Sequence, residues 1–136
     1  MIGNQESLRQ TVAKLQSLGI QVSLFIDSER GQIQAAADIG AEMIELHTGT
    51  FALTTGKEHG SEIRRLQSGA DLGNSLGLRV NAGHGIHLEN IKGLFSVKNL
   101  KEFNIGHALI SRALFVGIRA AVKEMKAAMQ EYPNTP

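Results

Sequence analysis

The sequence predicts an α/β fold built of parallel βα repeats, with four strands each followed by a helix. Three observations carry that expectation. Short β-type runs fall near residues 20–26, 43–47, 78–82 and 102–105. Segments with apolar residues at helical spacing separate them. The strands also share a two-faced pattern. Val22, Leu24 and Ile26 alternate with Gln21, Ser23, Phe25 and Asp27, and Ile44 and Leu46 alternate with Glu45 and His47. Val80 and Ala82 flank Asn81, and Phe103 and Ile105 flank Asn104. Side chains alternate faces along a strand, so one sheet face is apolar and the other largely polar. A doubly wound sheet would need two apolar faces. A polar second face instead suits the inside of a TIM-type (β/α)8 barrel, whose ligand site lies at the C-terminal strand ends. Four units are half of such a barrel. A helix precedes the first strand, as it would if strands five to eight followed a preceding half. The expected organisation is a single partial barrel domain over residues 1–136, with residues 133–136 as a frayed tail.

The elements follow in order. Leu8, Val12, Leu15 and Leu18 recur at helical spacing, and Gly19 is a natural stop. A strand over 20–26 ends at Asp27. Ser28 can cap a helix over 29–39, which breaks at Gly40. The second strand, 43–47, leads into an expected long loop over 48–60. A helix over 61–76 buries Ile63, Leu66, Ala70 and Leu76. Gly69 and Gly73 are expected to weaken it by roughly 1 kcal/mol each relative to alanine. After the third strand, 78–82, come a short helix near 88–95, a fourth strand over 102–105, and one last helix over 108–132.

Composition narrows the function classes. The 136 residues fit one domain, and a hydrophobic fraction of 42% supports a packed core. There is no cysteine, which excludes a disulfide framework and thiolate metal sites. A net charge of +1 gives no argument for nucleic acid or an anionic membrane. The start Met1-Ile2-Gly3-Asn4-Gln5-Glu6 has neither signal- nor transit-peptide character. No apolar run approaches the roughly 18 residues of a membrane span. A cytoplasmic protein without membrane or nucleic-acid partners is expected.

Two strand-Gly-His junctions are the main clue to chemistry. In Val80-Asn81-Ala82-Gly83-His84-Gly85-Ile86 two glycines bracket a histidine at a strand end. They leave its ring little steric cover and allow a ligand close to the backbone. Asn104-Ile105-Gly106-His107-Ala108 is the second junction. Asp27, Glu45, His47, His84 and His107 would meet at one mouth of a closed barrel. Histidine is the usual acid or base near neutral pH, and a neighbouring carboxylate can stabilise a cationic transition state. His107, at an expected helix start, can bind phosphate or serve as a structural cap. Barrel phosphate sites commonly follow strands seven and eight, the places of Gly83-His84-Gly85 and Gly106-His107 in this numbering. His59 and His87 read as surface loop residues. Glu45, His47 and His84 are also conceivable metal ligands, but no dense ligand motif is present and no metal is expected.

Four segments together resemble the pyridoxine 5′-phosphate synthase family. They are Gly19-Ile20-Gln21-Val22-Ser23-Leu24-Phe25-Ile26-Asp27, Ile44-Glu45-Leu46-His47-Thr48-Gly49, Val80-Asn81-Ala82-Gly83-His84-Gly85 and Phe103-Asn104-Ile105-Gly106-His107-Ala108. The resemblance runs from about Ser7 to Met129. It implies a TIM barrel of vitamin B6 biosynthesis that condenses 1-deoxy-D-xylulose 5-phosphate with 3-amino-2-oxopropyl phosphate. It implies acid–base chemistry without cofactor, and homo-octamers. His84 would be the proton donor, and Glu45 the carboxylate that stabilises the transition state. Gly85, Gly106 and His107 would hold the phosphate of the amino-ketone. The family's first four strands, which carry its proton acceptors, have no counterpart here, so the chain alone is expected to be inactive and to need a complementing N-terminal half-barrel. The alternative is a non-catalytic half-barrel that binds phosphate ligands or a partner subunit.

Overall fold

The computed structural model describes residues 4–133. Its elements are α1 (Gln5–Ser17), β1 (Ser23–Ile26), α2 (Arg30–Asp38), β2 (Met43–His47), α3 (Gly49–Leu53), α4 (Gly56–Ser75), β3 (Arg79–Gly83), a 3-10 helix (Ile91–Ser96), β4 (Phe103–Asn104), α5 (His107–Val116) and α6 (Ile118–Met129). The strands form one parallel sheet in the order β1-β2-β3-β4. The expected α/β class with parallel repeats is therefore present.

The register produces the two faces read from the sequence. Leu24, Ile44 and Val80 stand in one row, and Phe25, Glu45 and Asn81 in the next. Ile44, Leu46, Val80 and Ala82 are buried in the main core with Ile33 and Ala36 of α2, Leu66 and Ala70 of α4, and Met125 of α6. Full burial of a branched aliphatic side chain contributes roughly 1.5–3 kcal/mol. Helix α1 sits apart on a small cluster of Val12, Val22 and Ile39.

Several local expectations are corrected. The stretch expected as a loop over 48–60 holds α3 and the first turn of α4. Phe51 of α3 is buried and stacks on His59 with ring centroids 4.7 Å apart. His59 is thus a half-buried helix residue and not a surface loop residue. Ser28 does not cap α2, whose N-cap is Glu29; its hydroxyl donates to the Arg65 carbonyl at 3.0 Å and ties the start of α2 to α4. The fourth strand shortens to Phe103–Asn104. The last helix breaks at Gly117, whose φ of +82° ends α5 and redirects the chain into α6. The tail expected over 133–136 lies, apart from Pro133, outside the described residues.

Gly69 and Gly73 have a different meaning from the one their helix propensity suggests. A Cβ on Gly69 would collide with the Ser28 hydroxyl, and one on Gly73 would stand 2.7 Å from Val80 Cγ2 and 3.0 Å from Ile44 Cδ1. Both glycines let α4 press against the sheet and α2. At the other end of the core, the Tyr132 hydroxyl donates to the Val97 carbonyl at 2.8 Å and accepts from Leu100 N–H at 3.0 Å. That pair fastens the segment after α6 to the approach to β4.

Candidate active site

The C-terminal ends of β2, β3 and β4 open onto a cavity of about 750 Å³. Glu45, His84, Gly85, Gly106 and His107 all line it. The residues singled out from three separate segments of sequence thus share one space. Asp27 and His47 do not line it; they pair behind it, with His47 Nδ1 3.3 Å from Asp27 Oδ1. Among the described residues no three His, Cys, Asp or Glu side chains gather as a metal ligand set.

Glu45 is held by two features of its neighbours. Asn104 Nδ2 donates to its Oε2 at 2.6 Å. Gly83 leaves the space its carboxylate occupies, since a Cβ there would collide with Glu45 Oε1 and stand 3.1 Å from Asn104 Cβ. The glycine at 83 leaves room for the carboxylate in this position. The turn itself is made by the next two residues, with φ of +78° at His84 and +76° at Gly85. A non-glycine residue in the left-handed region costs about 1–3 kcal/mol, and such strain persists only where surrounding contacts fix it. The His84 ring is exposed at the cavity and packs against His47, with centroids 4.9 Å apart. Phe25 flanks both rings, edge-on to His47 at 5.2 Å.

The second junction opens α5. Gly106 is its N-cap and His107 its first residue, and no side-chain cap satisfies the first turn. Its leading N–H groups are available to an anion, which the positive end of the helix dipole also favours. His87 lines the cavity rim from the loop after β3, where its Nδ1 meets Glu89 Oε2 at 2.6 Å. The Glu89 carboxyl is held below the usual carboxylate range, first by a hydrogen bond with its own backbone and then by His87.

The arrangement unites an exposed imidazole, a carboxylate anchored by Asn104 and backbone donors at a helix start. That set can protonate a substrate, stabilise positive charge and hold an anionic group. Sequence reasoning missed Asn104 as the carboxylate's anchor. Its partner lies 59 residues away, so only the sheet register brings them together. It also gave no role to Thr48, which lies fully buried beneath His84.

Comparison with known proteins agrees with the motifs. Residues 1–131 match the model of a family described as pyridoxal phosphate biosynthesis protein PdxJ. A pyridoxine 5′-phosphate synthase of Akkermansia muciniphila is 52% identical over 127 residues, which are 93% of this chain and 52% of that protein. A protein of the same name from Legionella pneumophila strain Corby is 46% identical over 132 residues, 96% of this chain and 53% of that one. The chain spans about half the length of the curated relatives it matches. With a family match across nearly its whole length and a parallel βα sheet beneath the matched motifs, this chain belongs to the PdxJ family of pyridoxal phosphate biosynthesis proteins.

Proposed function

We propose that this chain is strands five to eight of a (β/α)8 barrel and bears part of the active site of a pyridoxine 5′-phosphate synthase. The reaction condenses 1-deoxy-D-xylulose 5-phosphate with 3-amino-2-oxopropyl phosphate. The observation that carries the reading is the shared cavity of Glu45, His84, Gly85, Gly106 and His107. His84 donates a proton during ring closure. The Glu45 carboxylate, aimed by Asn104, stabilises positive charge in the transition state. Gly85 N–H, Gly106 and His107 hold the amino-ketone's phosphate at the start of α5. The chemistry is acid–base and needs no cofactor.

The 136 residues form one partial barrel domain of a cytoplasmic enzyme, and the cavity is walled by a further set of four βα units. The exposure of Phe25, in the same strand row as Glu45, supports this. The completed barrel assembles further into homo-oligomers. Steady-state kinetics on the completed barrel test the roles. His84→Asn should lower kcat by about 10²–10⁴-fold, the usual worth of a positioned acid. His107→Ala should raise KM for the amino-ketone phosphate. An unchanged kcat in His84→Asn would remove His84 from the mechanism.

A further inference from the structure

The run His47-Thr48-Gly49 at the end of β2 touches His84 at three points. Thr48 is fully buried. Its N–H donates to the Gly83 carbonyl at 2.9 Å. Its hydroxyl lies 2.8 Å from the Gly83 carbonyl oxygen and 2.6 Å from that of His84. One hydroxyl proton thus serves the two carbonyls that flank the left-handed His84. The His47 ring, tethered by Asp27, packs on the His84 ring. Gly49 makes room for both rings: a Cβ there would stand 2.6 Å from His47 Nε2 and 3.2 Å from His84 Cδ2.

We infer that Thr48, with Gly49 and His47 beside it, is a positioning residue that holds His84 in its strained backbone and aims its imidazole into the cavity. A left-handed histidine is unfavourable on its own, and relaxing it would turn its carbonyl away from a buried hydroxyl. The Thr48 hydroxyl would then keep only the Gly83 carbonyl of its two acceptors. The shorter of its two contacts, 2.6 Å, is the one to His84, and it opposes the intrinsic cost of the left-handed conformation. The flanking glycines permit this conformation, and Thr48 selects it. The inference rests on the reading of His84 as the proton donor for its functional meaning, but its geometry can be tested without catalysis.

The test uses the chain itself, with inorganic phosphate as the probe. Ring-to-ring NOEs between His47 and His84 report the aim of the imidazole, and phosphate-induced shifts of the Gly85 and Gly106 amides report the two turns separately. In Thr48→Val the ring NOE and the Gly85 response should be lost, while the Gly106 response persists. Thr48→Ser should restore both. General destabilisation would instead weaken Gly85 and Gly106 together. If Thr48→Val does not fold, Gly49→Ala makes the same test by steric means, and loss of the ring NOE with the Gly106 response intact is expected. The inference is overturned if Thr48→Val keeps the NOE and the Gly85 response, if Thr48→Ser behaves like Thr48→Val, or if Gly49→Ala leaves the rings in contact. Failure of the catalytic reading shows differently, as undiminished turnover in His84→Asn, and leaves these NOE results standing.

Discussion

At the scale of single residues, the site depends on atoms that are absent as much as on those present. Gly83 is empty so that Glu45 can lie across it, and Asn104 supplies the hydrogen bond that keeps it there. Asn104→Ala should therefore destabilise the chain by about 1.5–3 kcal/mol, the range for a hydrogen bond to a charged group. Urea unfolding measures this, and a change under about 0.5 kcal/mol, the ordinary surface-mutation range, would mean that the pair is solvent-screened. The bracketed histidine was legible in sequence because its signal is local, two glycines and a strand end. The anchor of Glu45 was not legible, because Asn104 and Gly83 reach it only through the pairing of three strands.

At the scale of elements, periodicity found the four strands and the main helices but misplaced what tertiary contact decides. Gly117 looked like an interior glycine of a long helix, and nothing local announces its positive φ. The loop after β2 was missed as helical because Gly49 and the threonines carry turn chemistry, while Phe51 earns its helix through burial. The two glycines of α4 give the sharpest contrast. On propensity alone Gly73→Ala would stabilise α4 by roughly 1 kcal/mol. The approach of α4 to Val80 and Ile44 predicts the opposite, a loss of about 1–3 kcal/mol through overpacking. Denaturant unfolding of Gly73→Ala gives the sign directly. Tyr132 joins two elements and adds a pH signature. Burial raises its pKa above the ordinary value, against a smaller opposing effect of the Leu100 hydrogen bond. A raised folded-state pKa means stability that is full below the unfolded value, near 10, and lost as pH rises through the folded value. The thermal midpoint should fall above about pH 10, and more steeply in the native chain than in Tyr132→Phe. Parallel curves for the two proteins would show that Tyr132 does not carry the linkage.

At the scale of the whole molecule, the sheet is bounded by β1 on one side and β4 on the other, and neither has an outer partner among the described residues. Exposed apolar side chains gather towards both flanks. Leu18, Ile20 and Phe25 lie around β1, and Leu114 and Phe115 of α5 are 82% and 84% exposed beyond β4. Open parallel edges beside apolar surface favour association. The chain alone should sediment as a dimer or larger species, and a dilute, monodisperse monomer that unfolds cooperatively would argue for a self-sufficient fold. The parallel sheet with one polar face was legible from the strand alternation, and a face carrying Glu45, Asn81 and Asn104 is costly to cover with apolar helices.

The central claim is that the cavity holds half of an active site, and formation of pyridoxine 5′-phosphate measures it most directly. The rate should be followed for this chain alone and after adding the first four βα units of the barrel in trans. Ring closure needs several proton transfers, each worth about 10²–10⁴-fold from a positioned group. On the proposed reading, this chain contributes His84 and Glu45 to that task. The account predicts no measurable product from the chain alone and turnover once the two halves pair. Turnover by the isolated chain at a rate matching the paired halves would contradict it.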